Sequence, residues 1–553
     1  MSGDNKEFQQ KQARTVSEKV KLRKFKNINT KNLIKNLIKA RLKNPADLDL
    51  FKRKVAKKYK IRYPRNIELL QEYRKFIKKK SVKISADAAS KIENLLKTRP
   101  VRSLSGIVNV SLLTKPYPCP GNCLYCPSEK GMPKSYLSDE PAAARAKALK
   151  FNPHTQTKKR IEILDLEGHP TDKIDLRIIG GTWSFYPKKY QEWFVKKCFD
   201  AANGKTSKNL ETAKKLNENA KNRLIGISIE TRPDFIDEKE VKQLRKLGVT
   251  KVEMGVQSIY DDILKINNRG DTVASTVKAT KLLKDAGFKV SYQIMLNLPG
   301  SSPKKDIRMF KELFKNPDFK PDLLKIYPCA VLKESPLYRW FLKKRYKPYS
   351  QTILINAVKN IKKIIPYYVR IERVIRDIPS RKTISGPVTN LRQIIEKDMR
   401  KNRLKCRCIR CREIKENYNP KEKVFLFRED YFASRGKEIF LSFEDKKRDK
   451  IYSLLKLRIP SCVLNGGKNI IAELNDAAII REVHTYGQST PVSKNSKAPQ
   501  HKGLGKKLII EAEKITKKEF GLKKIAVISG VGVRPYYRRL GYKLKNEYMV
   551  KKI

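Results

Sequence analysis

Missing from this chain of 553 residues is any apolar run near the roughly 20 residues needed to cross a bilayer. Missing too is an apolar core behind the first methionine: the N-terminus reads "MSGDNKEFQQKQ", unlike a secretory leader. Both absences predict a cytoplasmic protein with no membrane partner. Nine cysteines in such a chain are expected as thiols and metal ligands rather than disulfides. Acidic residues are scarce as well. Against 125 Lys and Arg stand 56 Asp and Glu, a formal net charge of +69. Solubility needs far less, so the excess points to a polyanionic partner and disfavours a basic one. The first 80 residues alone hold 26 Lys and Arg against 7 Asp and Glu. Runs such as Lys57-Lys58-Tyr59-Lys60 and Lys78-Lys79-Lys80 suit nucleic acid phosphates, and Tyr59, Tyr63 and Tyr73 could stack on unpaired bases.

Periodicity divides the chain. Leu33, Ile34, Leu37 and Ile38 recur at helical spacing, so residues 1–90 read as short basic helices. From Ile107 the pattern changes to β-like runs at 107–113, 174–181, 223–230, 251–258, 289–300 and 322–328, with amphipathic helical stretches between them. Such alternation predicts an α/β architecture, a partial (β/α)6 barrel over 91–380. Its working residues should lie at the C-terminal ends of the strands. Cys119, Gly180-Gly181-Thr182, Glu230, Arg232 and Gln257 fall there. The rhythm breaks near 380. A basic linker over 381–425 carries more cysteines, and 426–553 reads as a second α/β domain that opens with a β-hairpin.

The stretch "CPGNCLYC" holds Cys119, Cys123 and Cys126. A structural zinc normally closes its tetrahedron with four protein ligands, whereas a four-iron, four-sulfur cluster on three cysteines keeps one iron open. Zinc with an unseen fourth ligand is the plainer alternative. The spacing C-x3-C-x2-C at the end of a first strand resembles the signature of the radical S-adenosylmethionine (SAM) superfamily. The resemblance implies that the open iron chelates SAM and that an electron donor drives its cleavage to a 5′-deoxyadenosyl radical. Gly180 and Gly181 would let backbone approach the cofactor. The second triplet, Cys406, Cys408 and Cys411, lies in an apolar-poor segment where a structural zinc could replace a core, its fourth ligand unassigned. Cys198, Cys329 and Cys462 read as buried free thiols.

Gln500-His501-Lys502-Gly503-Leu504-Gly505, opening a helix, resembles the pyrophosphate loop of the GNAT acetyltransferases. There, backbone N–H groups at a helix start cradle phosphate. The resemblance implies acetyl-CoA, with the strand Glu482-Val483-His484-Thr485 along its pantetheine arm and Tyr536 or Tyr537 near the thioester sulfur.

The two halves together, with "RPVRSLSGI", "IETRPD", "NRGDTV" and "VRPYYRRLGY" in order from about Arg99 onward, resemble the Elongator protein 3 family. That resemblance implies a tRNA-modifying acyltransferase that carboxymethylates C5 of the anticodon wobble uridine. Lys173 would contact acetyl-CoA, and partners would be tRNA and either Elongator-like subunits or a second copy. Asn297 departs from the acidic residue expected in that family. A second class of reading is a protein lysine acetyltransferase with a structural cluster, which the positive charge disfavours because basic tails are repelled.

Overall fold

A computed structural model describes residues 30–40, 42–78, 84–415, 422–487 and 503–553. The β-like runs form one parallel sheet. Its strands are β1 (Val108–Leu113), β2 (Lys173–Ile179), β3 (Arg223–Thr231), β4 (Lys251–Gln257), β5 (Lys289–Leu296), β6 (Leu323–Pro328) and β8 (Arg370–Arg373), side by side in that order. The seventh strand goes beyond the expected six units. Only four residues long and bounded by arginines, it shows no apolar run in the sequence. β7 (Val331–Leu332) pairs antiparallel with β9 (Thr383–Ser385) as a small ribbon. Along β2 the alternation is plain: Ile174, Leu176 and Ile178 are buried, while Lys173, Asp175 and Arg177 take the other face. Helices Lys188–Asn203 and Val273–Asp285 cover the outer face where amphipathic stretches were expected.

Four helices precede the barrel: Thr30–Lys39, Pro45–Lys58, Asn66–Lys78 and Ala86–Leu96. They share a core of Leu33, Ile34, Leu37, Leu69, Tyr73 and Phe76. Tyr73 is 1% exposed and so is withdrawn from any nucleic acid. Tyr63 stays exposed, with Lys52 Nζ 4.2 Å from its ring centre. The basic stretches 1–29 and 79–83 lie outside the described residues.

The linker departs from expectation. It is not poor in core: Leu391, Ile395 and Met399 of helix Leu391–Lys401, with Cys408 and Ile409, join the main hydrophobic core. The Ile409 N–H donates to the Val369 carbonyl beside β8. Cys462 differs too, being half-buried where Cys198 and Cys329 are fully buried.

A second, mixed sheet follows: β10 (Phe425–Ala433), β11 (Gly436–Glu444), β12 (Ile451–Ile459), β13 (Ala478–Thr485), β14 (Lys524–Val527), β15 (Lys543–Lys545) and β16 (Tyr548–Lys552). Its order is β10-β11-β12-β13-β14-β16-β15, antiparallel except where β13 runs parallel to β14. Helix Leu504–Phe520 packs on one face. The other face docks on the barrel at the strand starts. A Cβ on Gly530 would lie 2.0 Å from the Ile225 carbonyl oxygen near the start of β3, so backbone meets backbone there and only glycine fits. Asp322, just before β6, accepts from Arg481 at 2.5 Å, and Arg458 reaches Asp285, before β5, at 2.6 Å.

Candidate active site

The cysteine loop follows β1 at the C-terminal mouth of the barrel. Cys119 Sγ lies 3.8 Å from Thr182 Oγ1, and the Cys126 N–H donates to the Cys123 carbonyl. Among the described residues, the three-ligand group gathered within 4.8 Å is Cys406, Cys408 and Cys411, not this triplet. A single tetrahedral ion draws its sulfurs close, at about 2.3 Å from the metal. The wider first triplet suits a cluster, and the tight second one suits zinc. Lys362 Nζ is 3.7 Å from Cys411 Sγ, which offsets the negative charge that three thiolates would gather.

Every polar residue expected at the strand ends is found there. The Gly180 backbone has φ +138°, and a Cβ would strike Thr114 Oγ1 at 2.0 Å. The room it makes is for Thr114 rather than for a ligand. Arg232 forks onto Asp234 at 2.8 and 2.9 Å and donates to the Arg269 carbonyl at 2.9 Å. Gln257 holds a left-handed φ of 67°. Glu230 accepts from Tyr136 at 2.6 Å and Gln293 at 3.1 Å. Residues not singled out in the sequence complete the mouth. Arg269 Nη1 donates to Cys123 Sγ at 3.6 Å. Asp271 pairs with Arg269 at 3.3 Å, its side chain 2% exposed. Burial lifts Asp271 to about 6 against the pull of Arg269 and Arg232. Both residues lie within the quoted "NRGDTV", but nothing in the spacing of that stretch says that it folds back onto the cysteines. Asn297 has φ 63°, a region asparagine tolerates. Its Oδ1 accepts from the Tyr349 N–H, and Asp306 supplies the acid that receives the Asn297 N–H at 2.8 Å. The asparagine is a turn residue held by protein groups.

Below the mouth the barrel lumen is charged, where such barrels usually stack branched apolar side chains. Lys325 pairs with Glu230 at 3.4 Å and with Glu253. Lys251 reaches Glu253 at 2.9 Å and Glu372 at 3.0 Å, and Arg177 lies 3.4 Å from Glu372. Although burial works the other way, Lys251 and Lys325 hold Glu253 down to about 2. This alternating file runs from the cysteine mouth toward the docked sheet.

At the opposite, lower end lies the second half of the site. β12 and β13 slip register at Lys456/Leu457, so Arg481 bulges without a cross-strand partner. β13 and β14 pair only over Ala478–Ile480 and Ile525–Val527, then part. Val483 and Thr485 face the start of helix Leu504–Phe520. A Cβ on Gly505 would lie 3.4 Å from Thr485 Oγ1, 3.7 Å from Tyr536 Oη and 3.8 Å from Val483 Cγ1. The cap residue Gly503 adopts φ 67° with no side-chain bond, leaving the first N–H groups of the helix without a side-chain cap. Gln500, His501 and Lys502 lie outside the described residues. Tyr536 is near this loop, whereas Tyr537 is buried in the sheet–helix core. Glu482 and His484 face the barrel. Burial presses His484 down to about 4, and Glu482 lies 3.5 Å from Lys289 and 3.4 Å from Lys456. Lys173 opens β2 at this same end and lines a cleft of about 1370 Å³ between the barrel and the N-terminal helices, with Lys43, Arg74 and Lys221.

Comparison with known proteins defines the class first. A family model for the radical SAM superfamily matches residues 117–313, and one for the radical SAM C-terminal domain matches 321–401. A parallel barrel with a cysteine triplet at its C-terminal mouth is thus a radical SAM enzyme. A tRNA uridine(34) acetyltransferase of Methanocaldococcus jannaschii is 47% identical over 83% of this chain and 86% of its own length. Human Elongator complex protein 3 is 38% identical over 94% of this chain and 96% of its own. The structure of the archaeal Methanocaldococcus infernus Elp3 with an N-terminal deletion superposes with a TM-score of 0.71 at 44% identity, covering 81% of this chain and 100% of that one. The chain belongs to the family of tRNA uridine(34) acetyltransferases and Elongator complex protein 3.

Proposed function

We propose that this chain replaces the C5 hydrogen of the anticodon wobble uridine in tRNA with a carboxymethyl group, drawing the two-carbon unit from acetyl-CoA and releasing CoA by hydrolysis. One observation carries the reading: a single barrel bears a cysteine triplet at its upper mouth and, at its lower end, a second sheet in which strand Ala478–Thr485 faces the uncapped start of helix Leu504–Phe520. Cys119, Cys123 and Cys126 would hold a four-iron cluster, which, given an external electron donor, would supply the one-electron reduction that forms a 5′-deoxyadenosyl radical from SAM. Gly181, Thr182, Glu230, Arg232 and Gln257 would line the SAM pocket, with Gly180 making room for Thr114 behind them.

Below, the second sheet acts as a GNAT acetyltransferase domain. The first N–H groups after Gly503 would take the CoA pyrophosphate, assisted by Gln500, His501 and Lys502. The parted strand Glu482–Thr485 would offer backbone to pantetheine, Tyr536 its hydroxyl to the thioester, and Lys173 its charge to a CoA phosphate. A tetrahedral zinc at Cys406, Cys408 and Cys411 would pin the linker. The substrate base must be unpaired and splayed to reach either mouth, which suits an anticodon loop.

The test is acetyl-CoA hydrolysis by the iron-loaded protein. It should be stimulated by tRNA and indifferent to histone-tail peptides, with carboxymethylated wobble uridine detected by mass spectrometry. Peptide acetylation without a tRNA response would replace this reading with that of a lysine acetyltransferase.

A further inference from the structure

An aromatic ladder borders the upper mouth. Tyr117 lies two residues before Cys119, and its ring stacks on Tyr186 at 4.8 Å with 27° between planes. Tyr186 stacks on Tyr190 at 5.1 Å and 22°, and Tyr190 leads on to Trp193 at 5.6 Å and 33°. Phe185 meets the outer side of Tyr117 at 5.9 Å. The middle of the ladder is pinned by hydrogen bonds: Tyr186 Oη donates to the Lys115 carbonyl at 2.7 Å, and Tyr190 Oη accepts the Lys115 N–H at 3.1 Å. Its two ends are open to water, Phe185 at 36% and Trp193 at 40% exposure.

The charge around these rings selects an occupant. Lys115 Nζ lies 5.1 Å from the Tyr190 ring, and Lys188 and Lys189 start the helix that carries Trp193, both exposed. The neighbouring acids are engaged: Glu240 by Lys188, Asp234 by Arg232 and Glu192, directly before Trp193, by Lys246. Partly exposed aromatic side chains among lysines, with Phe185 also packed edge-on against Phe235 at 5.5 Å, match the way single-stranded nucleic acid is held, with cations along the backbone and aromatic side chains under the bases. Position adds to this. Thr182, which touches Cys119, directly precedes the turn Trp183–Phe185, so any base entering the mouth on this side passes Phe185.

We infer that Phe185 and Trp193 stack on unpaired bases flanking the reacting nucleotide of a single-stranded RNA loop. The inference rests on the tRNA reading above and adds the residues that hold the loop open.

Full-length protein would be titrated with an anticodon stem-loop RNA carrying 2-aminopurine beside the wobble position, and with a blunt duplex of the same stem. Phe185→Ala and Trp193→Ala should each weaken loop binding by about 5- to 150-fold and relieve 2-aminopurine quenching, with duplex binding unchanged. Phe185→Tyr and Trp193→Phe should restore most of the loss. Trp193→Gln keeps the test open should an alanine variant misfold. Wild-type loop affinity in the alanine variants, or equal loss for loop and duplex, would overturn the assignment while leaving the function standing. So would a dimer that Trp193→Ala dissolves, which would give the patch to a second copy. Wild-type protein that binds the loop no better than the duplex would overturn both readings together.

Discussion

Of the two adjacent tyrosines, Tyr536 sets its hydroxyl beside the helix start, whereas Tyr537 is buried in the sheet–helix core. Sequence leaves the pair open because the turn of a five-residue helix, Arg534–Arg538, decides which ring points inward. Tyr536→Phe is expected to slow tRNA-stimulated acetyl-CoA hydrolysis by about 100-fold, the loss seen when one preorganised donor is removed. Acetyl-CoA affinity should change little, as isothermal titration would show. Tyr537→Ala should instead cost about 3–5 kcal/mol of stability, read as a lowered melting temperature. At this scale the cysteines, Glu230, Arg232 and Gln257 were legible because polar residues at the ends of apolar strands stand out. Arg269, Asp271 and the lumen pairs were not. Lys251, Glu253 and Lys325 look like solvated charges in a chain so rich in them, and only the curved sheet turns them inward.

Among the elements, six strands were readable from β-branched runs, and the hairpin β10–β11 from its alternation. The side of the barrel on which the second sheet docks was not readable, since it depends on charges far apart in sequence. Asp322, Glu438, Arg458, Arg481, Lys284 and Lys456 form one buried ionic knot between the sheets. Burial opposes ionisation of Asp322, but Arg481, Lys284 and Lys456 overcome it and hold the carboxyl well below the usual range. Its stabilising contribution is therefore present above the ordinary carboxylate pKa and is lost as pH falls through the lowered value. Asp322→Ala should cost about 3–5 kcal/mol at neutral pH by stranding buried cations. Denaturant titrations of variant and wild type should converge as the medium is made strongly acidic. Equal gaps at pH 7 and in strong acid would remove the knot from the account.

For the molecule as a whole, net charge points to a polyanion, yet it cannot say which surfaces carry it. Part of the basic N-terminal stretch folds into a four-helix unit, and its Lys43, Arg74, Lys91 and Lys97 line a cleft shared with the barrel. Deleting residues 1–80 should weaken tRNA binding and flatten its dependence on salt, by about 0.7–0.9 of a log unit in slope per lost phosphate contact. An unchanged slope in filter binding from 50 to 300 mM salt, on the order of the range over which such contacts are screened, would move the tRNA surface elsewhere.

Gly530 sets a rule for how such a gene can be cut and rejoined. Its backbone lies against the Ile225 carbonyl, and Gly532 lies close to Arg223 and the Leu224 carbonyl, so at these two points the barrel and the second sheet meet with no room for a further side chain. A truncation that frees the C-terminal half would bare that seam together with Arg481 and Arg458, so an isolated C-terminal fragment would be a poor stand-in for the enzyme. Chimaeras that exchange the halves between relatives should fold only when both sides of the seam come from the same parent, which ties the two halves into one unit of inheritance.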